Sequence, residues 1–301
     1  MMAAAPSPVG IIGLGLVGTA IAERLLEAGQ AVCGFDLKQE RSEHLLSCGG
    51  SIAQSPAAVA HSAQRIVLCV FDDGDIERVL WDEGGVMSNA LRPQVIISTT
   101  TSDPDRVVET ARRAAAVGVP FLDATISGTS VQVRKRDSVM MVGGDPACAA
   151  ACADLFGILA KQWFHVGESG AGARAKLVIN LVLGLNRAAL GEGLAFAERM
   201  GLDAAALMHV LKASAAYSQV MDTKGDKMLK RDYTAQGRLR QHAKDVTLIL
   251  AQAKRLGMRL PMSGVHDSLL QQAIADGDGD IDNAAVVEVI RRQSFGTIEK
   301  I

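Results

Sequence analysis

Aromatic side chains make up only 4% of this 301-residue chain, so its 49% hydrophobic fraction must fill an interior with Ala, Val and Leu. Such small and branched side chains suit helices packed on a parallel sheet. An excess of charge is also missing. The 31 basic residues against 33 acidic ones leave a formal charge of −2, too small to recruit nucleic acid or an anionic membrane. Cys33, Cys48, Cys69, Cys148 and Cys152 form an odd set with no CxxC spacing. A disulfide framework and a metal site are therefore not expected, and buried reduced thiols of a cytoplasmic protein are. No uninterrupted apolar run reaches the roughly 18 residues of a membrane span. Met1–Pro8 lacks the basic and apolar segments of a secretory leader. Internal repeats and low-complexity tracts are absent as well, and the length suits one large or two moderate domains.

What is present begins at Val9, where Val-Gly-Ile-Ile-Gly-Leu-Gly-Leu-Val-Gly runs to Gly18 and a strand-like stretch Ala31–Phe35 ends at Asp36. The order predicted is strand, glycine turn, helix, strand and acid. Gly13 permits the tight turn, Gly15 lets backbone approach a pyrophosphate, and Gly18 allows close helix–strand packing. The pyrophosphate would rest on helix N-terminal amides, here those of Leu16 and Val17. Asp36 is placed to accept hydrogen bonds from the adenosine ribose of NAD. An acid there repels the 2′-phosphate of NADP, and Leu37 offers no cation, although Lys38 and Arg41 are close in sequence. NAD is the expected cofactor, with NADP disfavoured.

Further strands are predicted at Arg65–Val70, Val95–Thr99, Phe121–Ala124 and Ser138–Val142. Helical patterns lie between them at Ala20–Ala28, Ile76–Leu80 and Asp105–Ala116. This alternation predicts an α/β fold with a doubly wound, Rossmann-type parallel sheet over residues 1–168. Beyond Gly172 strand signals nearly vanish. Arg174–Met200 reads as one long helix, followed by helical segments at 203–213, 241–256 and 263–275. Residues 169–301 are expected to form an all-helical domain for substrate binding and dimerisation, entered by a long helix starting near 172.

Three segments carry candidate chemistry. Lys176 and Asn180 stand four residues apart, on one helix face, after Gly170-Ala-Gly172. A lysine near a nicotinamide can move the proton that accompanies hydride transfer, but a solvated lysine and asparagine fit the same spacing. Ser127, Gly128 and Thr129 follow a strand in Asp123–Ser130, as either an anion-binding nest or an ordinary Ser-Gly turn. Lys244-Asp245 opens the helical stretch Val246–Leu256 and reads equally as a surface ion pair.

Taken together, these motifs resemble the β-hydroxyacid dehydrogenases over nearly the whole chain, from the fingerprint through Ser98-Thr99, Asp123–Thr129, Gly170–Asn180 and Lys244-Asp245 to Asp280–Glu288. The resemblance implies that Lys176 is the catalytic acid/base and Asn180 its partner on the substrate. It implies that Ser127, Gly128 and Thr129 hold a carboxylate, that Lys244 lines the site steadied by Asp245, and that Thr99 lies near the nicotinamide. Val70 and Phe71, with Asp72, stand where the family has Leu-Pro-Asp on the adenosine side. The chain departs from the family in other places. Thr129 replaces a glycine and Ile179 an asparagine, and Gly237, Arg238 and Gln241 replace large apolar residues. Arg134-Lys135-Arg136 replaces small ones. These changes weigh against the usual small substrates. Arg134, Arg238 or Gln241 either polarises the pocket for a further hydroxyl, carboxylate or sulfonate, or is solvated.

The function expected is hydride transfer between NAD and a short 3-hydroxy acid or its semialdehyde, in a homodimer or homotetramer. The alternatives are an imine reductase of related fold, which an acid or Tyr in place of Lys176 would favour, and a non-catalytic NAD-binding protein. A decarboxylating phosphogluconate-type enzyme usually has a longer helical domain.

Overall fold

The computed structural model describes residues 7–88 and 91–295. Residues 1–6, most of the stretch expected to lack a leader, lie outside them. The chain divides into two units, Met1–Lys176 and Leu177–Ile301.

In the first unit, β1 (Val9–Ile12), α1 (Leu16–Glu27), β2 (Val32–Phe35), α2 (Gln39–Ser47), β3 (Ser51–Ile52), α3 (Pro56–Ser62) and β4 (Arg65–Leu68) alternate as expected. They are followed by α4 (Asp73–Trp81), β5 (Val95–Ser98), α5 (Pro104–Ala116) and β6 (Phe121–Ser127). Then come α6 (Ser130–Arg134), β7 (Val139–Gly143), α7 (Pro146–Ala151), α8 (Ala153–Leu159) and β8 (Gln162–Gly167). The eight strands form one sheet in the order β3-β2-β1-β4-β5-β6-β7-β8. It is parallel except where β7 runs antiparallel to β6, so the sheet is not wholly parallel as expected. Alternating residues feed its two faces, as the two-residue period of a strand demands. Ile11, Val67 and Ile97 join one core with Ile21, Leu25 and Phe156. Ile12, Ile66, Leu68 and Ile96 join the other with Ile76 and Leu80.

Strand β8 escaped the sequence pattern because it is an edge strand with a largely exposed side-chain row, and β3 because it has only two residues. β6 extends through Ser127, three residues beyond the predicted Phe121–Ala124, with Asp123 inside it. The expectation of buried thiols holds for Cys33 and Cys152, whereas Cys48 is exposed and Cys69 and Cys148 are half-buried.

The long helix α9 (Ala171–Arg199) contains the division between the units. It includes an 18-residue window of mean hydropathy 1.3, long and apolar enough by length and composition to cross a membrane. This corrects the expectation drawn from uninterrupted apolar runs. Leu190 and Leu194 of α9 are nonetheless buried as core residues. They pack with Met208 of α10 (Ala204–Ala213) and with Val220, Met221 and Met228 of α11 (Val220–Lys230). A second helical core joins Leu239, Ala243 and Val246 of α12 (Leu239–Arg255) to Leu270 and Ala273 of α13 (Pro261–Ala275) and Val286 and Val289 of α14 (Val286–Phe295).

Candidate active site

The glycine loop after β1 is shaped by contacts that side chains would spoil. Gly13 has φ +94°, and a Cβ there would lie 2.5 Å from the Cys69 carbonyl oxygen. A Cβ on Gly18 would overlap the Gly13 carbonyl oxygen, whereas one on Gly15 would meet nothing within 4 Å. Gly13 and Gly18 therefore serve packing, and Gly15 leaves the backbone open to a ligand. Gly15 is also the N-cap of α1 and gives no side-chain acceptor to its first amides, among them those of Leu16 and Val17. Open backbone plus helix-terminal amides fit a pyrophosphate.

Asp36 is more engaged than expected. Its Oδ2 accepts the Leu14 amide at 2.7 Å, its Oδ1 accepts the Lys38 amide at 2.8 Å, and Arg41 Nη1 donates to both oxygens at 3.1 and 3.3 Å. A carboxylate has about four acceptor positions, and these four bonds fill them, so a ribose hydroxyl would take the place of an Arg41 contact.

Order reverses between β1 and β4, the switch point at which open α/β sheets bind ligands beyond the strand ends. Val70 and Phe71 follow β4 there, and Asp72 caps α4 by accepting the Asp75 amide at 2.9 Å. Phe71 is exposed. Thr99, after β5, donates its hydroxyl to the Leu68 carbonyl at 2.9 Å and lies 3.1 Å from the Cys69 thiol. Burial pushes that thiol up to about 12, which keeps it neutral.

At the end of β6, Gly128 takes φ +153° and Thr129 caps the short helix α6. Thr129 Oγ1 accepts the Gln132 amide at 3.2 Å, while the Thr129 amide donates to Gln132 Oε1 at 3.0 Å. This capping box occupies the Thr129 amide and corrects its expected place in an anion nest. Ser127 and Gly128 remain.

Asp123 was read only as the start of that segment, yet it anchors the helix bearing Lys176. It lies buried in β6 and accepts the amides of Gly170 at 3.0 Å and Ala173 at 2.8 Å. Burial raises its carboxyl above the usual range, against the lowering by those two amides. A Cβ on Gly172 would overlap the Asp123 backbone, which explains the small residues of Gly170-Ala-Gly172. Lys176 follows in the second turn of α9, half-buried.

In the second unit Asn180 is buried and donates its Nδ2 to Asp245 Oδ2 at 2.8 Å. Lys244 Nζ lies 3.3 Å from Asp245 Oδ1. The three residues predicted from separate motifs thus meet, in the second turn of α12 rather than at a helix start.

Beside them lies a charged cluster that the sequence reading missed. Arg187, seven residues beyond Asn180 on the same face of α9, is buried with Nε and Nη1 unpartnered. Burial pulls its guanidinium down to about 10, against the pull of Asp282 and Asp245. His242 and His266 face each other with ring centroids 5.2 Å apart, and a Cβ on Gly184 would lie 2.6 and 2.5 Å from their rings. Burial, then Arg187, lowers His266 to about 4. Lys224 donates to both oxygens of fully buried Asp282 at 2.7 and 2.9 Å. The signal for Arg187 was a cation between the apolar stretches Leu181–Leu185 and Ala188–Leu190, at helical spacing from Asn180.

The structure also places the three residues singled out as pocket candidates. Arg134 pairs with Glu23 of α1, Arg238 is exposed at the N-cap of α12, and Gln241 is half-buried.

Comparison with known proteins identifies the family. A family model described as the NAD binding domain of 6-phosphogluconate dehydrogenase matches residues 8–167. Another, described as the NAD-binding domain of NADP-dependent 3-hydroxyisobutyrate dehydrogenase, matches residues 170–290. The chain is 30% identical to 2-hydroxy-3-oxopropionate reductase of Escherichia coli, covering 94% of this chain and 96% of that protein. It is 29% identical to 2-(hydroxymethyl)glutarate dehydrogenase of Eubacterium barkeri, covering 93% and 94%. The crystal structure of 3-hydroxyisobutyrate dehydrogenase from Salmonella typhimurium superposes with a TM-score of 0.85 at 26% identity, covering 93% of this chain and 99% of that one.

Proposed function

The chain belongs to the β-hydroxyacid dehydrogenase family of NAD(P)-binding oxidoreductases, and from that premise we propose that it interconverts a short 3-hydroxy acid and its semialdehyde with NAD. Bound nicotinamide would supply or accept the hydride at C4. The protein's part is to hold the acid and move one proton. Lys176 takes the proton of the substrate hydroxyl during oxidation and returns it during reduction. Asn180 holds the same oxygen, its amide fixed by Asp245 so that the side chain does not have to be ordered when substrate arrives. Ser127 Oγ and the Gly128 amide receive the carboxylate, with Lys244 adding positive charge to the site.

The observation that carries this reading is the buried Asn180–Asp245 hydrogen bond flanked by Lys244. Solvated surface residues have no reason to be fixed in this way. NAD is favoured because the Asp36 carboxylate repels a 2′-phosphate, although Arg41 offsets part of that charge. The test is an absorbance assay over a panel of 3-hydroxy acids and semialdehydes, with Lys176→Ala as the control. The variant should lose about 10²–10⁴-fold in kcat while NAD affinity is kept. Residual kcat within tenfold of wild type would remove Lys176 from the chemistry.

A further inference from the structure

Helices α1 and α2 bring three side chains together that no cofactor role uses. Glu23 projects from α1. His44 and Cys48 lie four residues apart at the end of α2 and therefore share a face. His44 Nε2 is 3.0 Å from Glu23 Oε1 and 3.6 Å from Cys48 Sγ. The three ligand atoms all fall within 4.8 Å of one another.

Those separations have a definite meaning. Zinc binds nitrogen and oxygen at about 2.0–2.1 Å and thiolate sulfur at about 2.3 Å in tetrahedral geometry. The edges of such a tetrahedron are about 3.3 Å between N and O and about 3.6 Å between N and S. The imidazole nitrogen already stands within a few tenths of an ångström of both edges, without moving a helix. Glu23 Oε2 is engaged by Arg134, which leaves Oε1 directed at His44. The His44 side chain is half exposed and Cys48 is exposed, so an ion can enter from solvent and water can complete the fourth position.

We propose that Glu23, His44 and Cys48 form a surface site for zinc, bridging α1 and α2. The donor set selects the ion: imidazole and thiolate suit zinc, whereas magnesium and calcium require oxygen ligands. One carboxylate and one thiolate neutralise the dication, and the Cys48 proton passes to the buffer on binding. The site also abuts the dinucleotide loop. Leu14 and Arg41 line the same small groove as the three ligands, and Arg41 stands one turn before His44 on α2. An ion there fixes α2 to α1 next to the Arg41–Asp36 contact.

The experiment adds zinc chloride to the chelator-stripped full chain, kept reduced with a phosphine, and follows binding by calorimetry in two buffers of different ionisation enthalpy. One ion per chain is expected, with a Kd on the order of micromolar or tighter and release of about one proton at pH 7. His44→Ala and Cys48→Ser should each weaken binding by at least about 100-fold. Cobalt in place of zinc should give a thiolate charge-transfer band that Cys48→Ser abolishes. The three side chains lie at the surface, and circular dichroism checks that the variants fold. A Kd weaker than about 100 µM for the wild type, or equal affinity in the two folded variants, overturns the assignment.

Discussion

Replacing Lys224 with methionine tests how much the helical unit depends on one buried ion pair. Asp282 is fully buried, and five hydrogen bonds from four donors converge on it: the Lys224 ammonium on both oxygens, the Gln236 and Gly237 amides on Oδ2, and the Ala284 amide on Oδ1. Burial works to raise the Asp282 carboxyl, and Lys224 leads the groups that hold it below its ordinary value. Methionine fills most of the lysine volume, so the cavity term is small and the electrostatic one dominates. Removing one partner of a buried pair costs about 3–5 kcal/mol because a charge is left without compensation. At this size that corresponds to a fall in Tm of roughly 6–20 °C. Without Lys224 the folded-state pKa of Asp282 rises above its unfolded value. Such a group weakens stability as pH rises through that interval, so the deficit should be largest near pH 7 and shrink towards pH 4. Lys224→Met/Asp282→Asn should recover part of the loss, since it removes the charge that needs a counter-ion, while its single amide oxygen serves the backbone donors on one side only. The measurement is urea unfolding of the two variants and wild type at pH 7 and pH 4.5. A Lys224→Met deficit under about 1 kcal/mol, or one independent of pH, would refute the reasoning.

Three further outcomes follow from the same geometry. Gly18→Ala places a methyl on the Gly13 carbonyl and should weaken NAD binding by about 10–100-fold, consistent with the ~1–3 kcal/mol of overpacking; fluorescence titration at wild-type affinity would contradict it. Arg41→Ala keeps the two backbone bonds to Asp36 and should lower kcat/KM for NADP by at least about tenfold while leaving that for NAD within about threefold, at a cost of about 1.4 kcal/mol per decade. His266 stays neutral in the fold down to about pH 4 but takes a proton near 6.5 when unfolded, so stability falls as pH drops through that window. His266→Gln should flatten that slope, which can amount to roughly 3 kcal/mol, in thermal unfolding between pH 7 and 4.5.

The parts of the fold and site that could be read from sequence are those encoded by residue type. Gly13 and Gly18 are glycines because backbone carbonyls occupy the space of a Cβ, and such steric demands leave a local spacing pattern. The strands β1, β4 and β5 were readable because both faces of the sheet are covered, which makes them continuous apolar runs. β8 was not, since Gln162 and His165 break up its apolar residues and four of its six residues are exposed. Asn180 and Asp245 were each visible, but their bond spans 65 positions and no spacing rule encodes it. Arg187 interrupted an apolar helix in plain view, yet its meaning depends on charges from α12 and the turn at Asp282. Thr129 was open to a different local reading: Thr-x-x-Gln is a capping box, and that reading removes its amide from an anion nest.

Asp36 lies between these cases. An acid at the end of β2 suggests a ribose acceptor, and that part needs only the sequence. The bonds it makes do not follow from its position. By accepting the Leu14 amide, Asp36 ties the end of β2 to the glycine loop of β1, and by accepting Lys38 it sets the turn into α2. The carboxylate proposed to repel a 2′-phosphate thus also holds the loop in place. Substituting it changes loop geometry and cofactor charge together, whereas Arg41 touches only the charge. We therefore propose that cofactor choice rests on an ion pair rather than on one acid, with Arg41 as the member whose substitution leaves the turn undisturbed.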